Sequence, residues 1–187
     1  MLSYLNNEKS FGPGSAMGRR KKVGLNENLA REILELHTLG VGGGYSLQDI
    51  QELAMAISGW SVSRPNKNDE PAGFVYREYG HQPGKRTVLG KKYGQRGTRQ
   101  GEAILRDIAH HPPTAKYVSF KLAQHLVADQ PPEKLVSAMD KTWAKTDGNI
   151  KAMVTTLVNH DSAWHVPAQK YKAPREYVVS ALRACEN

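Results

Sequence analysis

The chain has 187 residues, of which 39% are hydrophobic, a single cysteine (Cys185) and a formal net charge of +8. That length suits one domain with a hydrophobic core of its own, needing no disulfide or metal staple. One cysteine excludes a disulfide framework and any multi-cysteine zinc site, and no run approaches the ~20 apolar residues that span a bilayer.

The charge is unevenly spread. Arg19-Arg20-Lys21-Lys22 and the acid-free stretch from Tyr79 to Gly101 together carry 10 of the 26 basic residues. The remaining 16 are fewer than the 18 acidic residues. The basicity therefore belongs to two Gly-rich segments and not to a helical face. Solvated loops are the plain explanation. The alternative is contact with an anionic polymer through Lys85, Arg86, Lys91 and Lys92, since phosphates are attracted without sequence readout. Nucleic acid is not the expected partner: only three phenylalanines are present, too few for an aromatic stacking surface.

In chain order, Met1-Leu2-Ser3-Tyr4-Leu5-Asn6 is too short and too soon polar for a signal peptide. Residues 1–24 read as a flexible basic arm. A first helix is predicted from Glu27 to Leu39, with Asn26 able to cap it, Leu29, Ile33 and Leu36 at helical spacing, and Gly40 at the left-handed C′ position. Arg31 stands four residues from both Glu27 and Glu35, the spacing of a helical ion pair. After Val41-Gly42-Gly43-Gly44 the next start is well marked. Ser46 and Asp49 fit a capping box, and Tyr45 with Ile50 fits a hydrophobic staple. Ile50, Leu53, Ala54 and Ile57 then share one face, ended by Gly59.

From 60 to 97 the period changes. Phe74-Val75-Tyr76 and Thr87-Val88-Leu89 are short β-prone runs that either pair as a ribbon or stay extended loop. So long an insertion in a helical domain is often functional or mobile. Helical spacing resumes after Thr98, and Pro112-Pro113 ends one helix and starts another. Further helices carry Tyr117, Val118, Leu122 and Leu126, then Leu135, Val136, Met139 and Trp143. The next is expected to be capped by Asp147 and carries Ile150, Met153, Val154, Leu157 and Val158; the last opens at Pro174. The expectation is a mainly α, multi-helix globular domain over 25–187, interrupted by the 60–97 insertion with at most a short β ribbon.

Asn26-Glu27-Asn28-Leu29-Ala30-Arg31-Glu32, followed by Leu34-Glu35-Leu36-His37-Thr38-Leu39-Gly40-Val41, resembles the signature of the large bacterial proteins grouped as domain-of-unknown-function family 1800. The likeness continues in order through Gly44-Tyr45, Gly59-Trp60, His81, Thr87-Val88-Leu89-Gly90, His111-Pro112, Thr114-Ala115, Asp129, Pro131-Pro132, Asp147-Gly148 and Lys172-Ala173-Pro174. It implies a bacterial protein, exported when complete, of which this chain corresponds to the later helical part. The chain is thus expected to be a fragment whose partner is the rest of a longer chain or another protein. The resemblance supplies no catalytic residue, substrate or cofactor.

The residues themselves leave three functions open. The first is interaction or scaffolding within a larger assembly. The second is an enzyme built around Arg31, Glu35, His37, His81 and His111. The third is binding of an anionic polymer by the basic loops. Seven histidines invite a metal reading, but no His-Glu-x-x-His motif is present and no His-x-x-x-His pair falls on a predicted helix, so neither a metal nor a cofactor is expected. His37, in the last turn of its helix, is expected either to bond free carbonyls as a cap or to line a cleft with His81 and His111. Gly42-Gly43-Gly44 before a capped helix could offer amides to an anion, although a flexible turn is the plainer reading.

Overall fold

The computed structural model describes residues 1–21, 24–63, 73–165 and 170–185, and it is mainly α. The described residues form eight α-helices. They are α1 (Ala16–Lys21), α2 (Asn28–Glu32, continued by a π turn over Ile33–His37), α3 (Leu47–Ala56), α4 (Thr98–Ala109), α5 (Pro112–Leu126), α6 (Glu133–Thr146), α7 (Ile150–Asn159) and α8 (Pro174–Cys185). Two antiparallel ribbons complete the fold: β1 (Trp60–Val62) with β2 (Phe74–Tyr76), and β3 (Arg86–Val88) with β4 (Lys91–Tyr93). The chain divides into two compact units, Met1–Tyr117 and Val118–Asn187. Among the described residues no helix is long and apolar enough to cross a membrane.

The core of the first unit is built by α2, α3, α4 and the second ribbon. Leu34, Leu53, Ile57, Val88, Ile104 and Ile108 are all but inaccessible to solvent. α3 begins where its sequence says it should. The Ser46 hydroxyl accepts from the Asp49 amide at 3.2 Å, and the Asp49 carboxylate accepts from the Ser46 amide at 2.8 Å, which closes the capping box. The other Asp49 oxygen accepts from the Leu89 amide at 2.7 Å. Leu89 and Gly90 link β3 to β4 with φ of +50° and +75°, the geometry of a two-residue type I′ turn. A leucine is disfavoured there, and the bond from Asp49 helps hold it.

The ribbons differ from the expected pairing. Phe74–Tyr76 pairs with Trp60–Val62, and Thr87-Val88 pairs with Lys91-Lys92, so the two β-prone runs do not pair with each other. The tight Leu89-Gly90 turn makes the local partner the one with the shorter loop to close. Leu89 itself belongs to the turn.

α2 also departs from a regular helix over Glu27–Leu39. Its second half widens to a π turn and ends as the Gly40 amide donates to the Leu34 carbonyl at 3.0 Å. Gly40 lies at φ +81°, and a Cβ there would stand 2.4 Å from the Tyr117 ring, so only glycine fits. Within residues 1–24, expected as a flexible arm, the described residues carry specific bonds. Buried Asn7 donates to the carbonyls of Ile57 (3.2 Å) and Trp60 (2.9 Å), and the Gly12 amide donates to Gly80 at 3.0 Å.

In the second unit Leu135, Met139, Met153 and Leu157 form the core, with Trp143 packed against it. Asp147 does not cap α7. It ends α6 in the left-handed conformation (φ +55°), and the Gly148 amide returns to the Trp143 carbonyl at 3.0 Å. The cap of α7 is Asn149, whose side chain accepts from the Ala152 amide at 3.0 Å.

Two substitutions test this account in denaturant melts. Ser46→Ala is expected to lower stability by about 1 kcal/mol through the lost cap. Trp143→Ala, which opens a cavity beside Met139 and Met153, is expected to lower it by about 3–5 kcal/mol.

Candidate functional site

A cleft of about 650 Å³ opens in the first unit. Its walls come from four segments: Gly14–Ala16 with Arg19, the stretch from Tyr76 to His81, Pro83–Lys85, and Gly94–Gly97. Each is anchored for a local reason. The Gln82 side chain accepts from the Gly14 amide at 2.6 Å, while the Gln82 amide donates to the Ser58 hydroxyl at 2.8 Å. A Cβ on Gly12 would stand 2.4 Å from that of Gln82, so the backbones meet only because residue 12 is glycine. On the far side, buried Gln100 in the first turn of α4 donates to the carbonyls of Gly84 (3.0 Å) and Tyr93 (3.1 Å). One amide side chain thus ties two walls to the core.

His81 is half-buried in this cleft. Its Nδ1 lies 3.0 Å from the Ser58 carbonyl. A carbonyl only accepts, so Nδ1 carries the hydrogen and the neutral ring keeps its lone pair on Nε2. Burial holds the imidazole pKa below its ordinary value. Arg86 acts in the same sense, while the Ser58 carbonyl and Glu78 oppose them. The Tyr76 ring meets the imidazole edge-on with centroids 5.6 Å apart. Burial and then the Glu78 charge push the Tyr76 phenol up.

The structure distributes the sequence-predicted residues as follows. Of Arg31, Glu35, His37, His81 and His111, His81 alone lines the cleft. Arg31 pairs with Glu35 at 3.2 Å and Glu27 at 3.7 Å. The Tyr45 phenol is pushed up by burial and then by the Glu35 carboxylate. His37 is exposed; in that last turn Thr38 Oγ1 donates to the Ile33 carbonyl at 2.6 Å and the Gly40 amide to that of Leu34. His111 stands at the α4–α5 junction, where its carbonyl accepts from the Thr114 amide at 2.9 Å. No group of three or more metal-ligating side chains occurs among the described residues.

The four basic candidates divide evenly. Arg86 is turned inward, 3.5 Å from Glu52, and Lys91 pairs with Asp107 at 2.6 Å while lying over the Tyr93 ring. Lys91 and then the Tyr93 hydroxyl hold the Asp107 carboxyl below the usual range. Lys85 and Lys92 are exposed, and Lys85 lines the cleft. The sequence-based reading noted the charges of Arg19 and Arg96 without assigning them to a site, and it missed Tyr76 and Glu78. The spacing of glycines at 12, 14, 80, 84 and 97 was the available signal, since each marks a close approach or turn in the loops that build the walls.

The profile of the family described as Protein of unknown function (DUF1800) matches residues 1–187. The chain belongs to the DUF1800 family. No curated protein and no solved structure matches it. Membership spans the whole chain, so it includes the N-terminal residues that form one wall of the cleft. For the DUF1800 chain the cleft itself therefore carries the functional argument.

The His81 environment has a measurable consequence. Unfolding returns the imidazole to its ordinary pKa of 6.5 from a lower folded value, so below that pH the unfolded chain binds more protons. Stability from this group is complete above the unfolded pKa and is lost as pH falls toward the folded one. His81→Asn is expected to lose less stability than wild type on going from about pH 7 to about pH 5, read as the shift in denaturant midpoint.

Proposed function

We propose that this chain is a binding domain for a small oxyanion, which the cleft around His81 takes up. The observation that carries the reading is the state of the cleft's cations. Among the described residues, Lys85 and Arg96 have no ion-pair partner, and Arg19 bonds only to a carbonyl, that of Gly14 (2.7 and 3.0 Å). Three cations around one concavity raise the local concentration of anions, and low-dielectric walls focus that field. The volume is that of a small-molecule site.

The same observation favours a small ligand over a polymer. Arg86 and Lys91, two of the four loop cations that a polymer would need, are engaged by Glu52 and Asp107. An interaction or scaffolding role draws support from a different place: α8 carries Tyr177, Val178 and Leu182 at 67, 54 and 61% exposure. Such a stripe on a helix is typical of protein contact surfaces.

The test is calorimetric titration of the chain with inorganic phosphate at low and high salt. Replacing Lys85 and Arg96 together by alanine is expected to weaken binding by about tenfold or more, since each removes a charge-assisted contact. Undiminished phosphate binding in that double variant would sink the oxyanion reading.

A further inference from the structure

The cleft holds a further asymmetry that bears on which anion it takes, an inference resting on the oxyanion reading above. Among the described residues, Arg19, Lys85 and Arg96 line it against a single carboxylate, Glu78, an excess of two positive charges. A phosphate monoester carries about −1.5 to −2 at neutral pH and matches that excess, whereas one carboxylate leaves half of it unbalanced. The dianion of a phosphate monoester has only lone pairs to offer at its phosphoryl group. His81, with Nδ1–H committed to the Ser58 carbonyl at 3.0 Å, likewise presents a lone pair at Nε2. A phosphoryl oxygen brought against that lone pair is repelled, so a ligand that also donates a hydrogen is the one that can replace water at Nε2.

We infer that the ligand is a phosphate monoester bearing a hydroxyl group, its phosphoryl oxygens held by Lys85, Arg96 and Arg19 and its hydroxyl donating to His81 Nε2. The groups that set the charge of the imidazole are the Ser58 carbonyl, Glu78 and Arg86, with the Tyr76 ring against its edge and the three cleft cations beyond. Burial and the positive surroundings keep it neutral, so the acceptor role is the resting one.

The probes are ethyl phosphate and 2-hydroxyethyl phosphate, which differ by one hydroxyl. Titrated into the 187-residue chain at about pH 8, the hydroxylated ester is expected to bind about 3- to 10-fold more tightly, the range one hydrogen bond confers. His81→Asn keeps an amide able to donate to the Ser58 carbonyl but removes Nε2. It is expected to bring the ratio close to one. 2-Methoxyethyl phosphate, which keeps the hydroxyl oxygen as an ether but has no hydrogen to donate, is expected to bind no more tightly than ethyl phosphate. This second measurement needs no variant.

Equal affinities at pH 8, or a preference over ethyl phosphate that His81→Asn leaves intact and 2-methoxyethyl phosphate shares, would overturn the hydroxyl inference. If both esters bind equally and lose affinity when Lys85 and Arg96 are replaced, the oxyanion reading survives and this one does not. If neither ester binds, both fall.

Discussion

Ser58 is the point on which the cleft depends. It is fully buried just beyond α3, and both of its polar groups are engaged. Its hydroxyl donates to the Met55 carbonyl at 2.7 Å and accepts from the Gln82 amide at 2.8 Å; its carbonyl accepts from His81 Nδ1 at 3.0 Å. Each such bond stabilises by only about 1 kcal/mol, but an orphaned partner in a dry site costs about 1–3 kcal/mol, so the arrangement is held chiefly by the penalty for leaving it. Gly59 follows at φ +82°, and a Cβ there would lie 2.5 Å from the Arg77 carbonyl oxygen. The reversal at Ser58-Gly59 therefore needs both a small hydroxyl and a missing side chain. From it follow the position of the 80–82 loop, the tautomer of His81 and the docking of Gln82 against Gly14.

The opposite walls hang from α4 in a similar way. Gln100 has no exposure, yet its side chain reaches two carbonyls that belong to different loops. Beside it a Cβ on Gly101 would stand 2.6 Å from the Trp60 ring, so the first turn of α4 and the first ribbon approach closely through another glycine. Rigid helices thus position irregular loops, and the loops carry the charged and titratable side chains, the usual division of labour between scaffold and site.

Helices were legible in the sequence because their signals are local. The Ser46/Asp49 box and the Pro112-Pro113 boundary can be read within a few residues, and both stand in the structure. The π turn of α2 was not legible, because the apolar spacing of Leu29, Ile33 and Leu36 fits a regular helix equally well. Asp147 misled for a different reason: a residue with good N-cap chemistry can equally close the preceding helix in the left-handed conformation, and Asn149 was free to do the capping. His81 was visible as a candidate, but its companions were not. Arg19 lies 62 positions before it and Arg96 15 positions after, and no periodicity links such positions.

The partition of loop cations explains how a broadly basic segment yields a localised site. Lys91 pairs with Asp107 although its side chain is 62% exposed, and an ion pair so placed contributes little to stability because water and salt screen it. Its effect is on the field. By neutralising Lys91 in the β4 strand, Asp107 removes a charge that would otherwise spread attraction over the outer face of the ribbon. Glu52 does the same for Arg86 from the side of α3, where only 11% of the arginine side chain is exposed. What remains uncompensated in this stretch includes Lys85 and Arg96, and both face the cleft that also holds Arg19. A uniformly basic loop would attract any polyanion. Selective pairing instead concentrates the positive potential where the walls are closest to a protein-like dielectric, and there the same charges act more strongly on a bound anion than they would in open solvent.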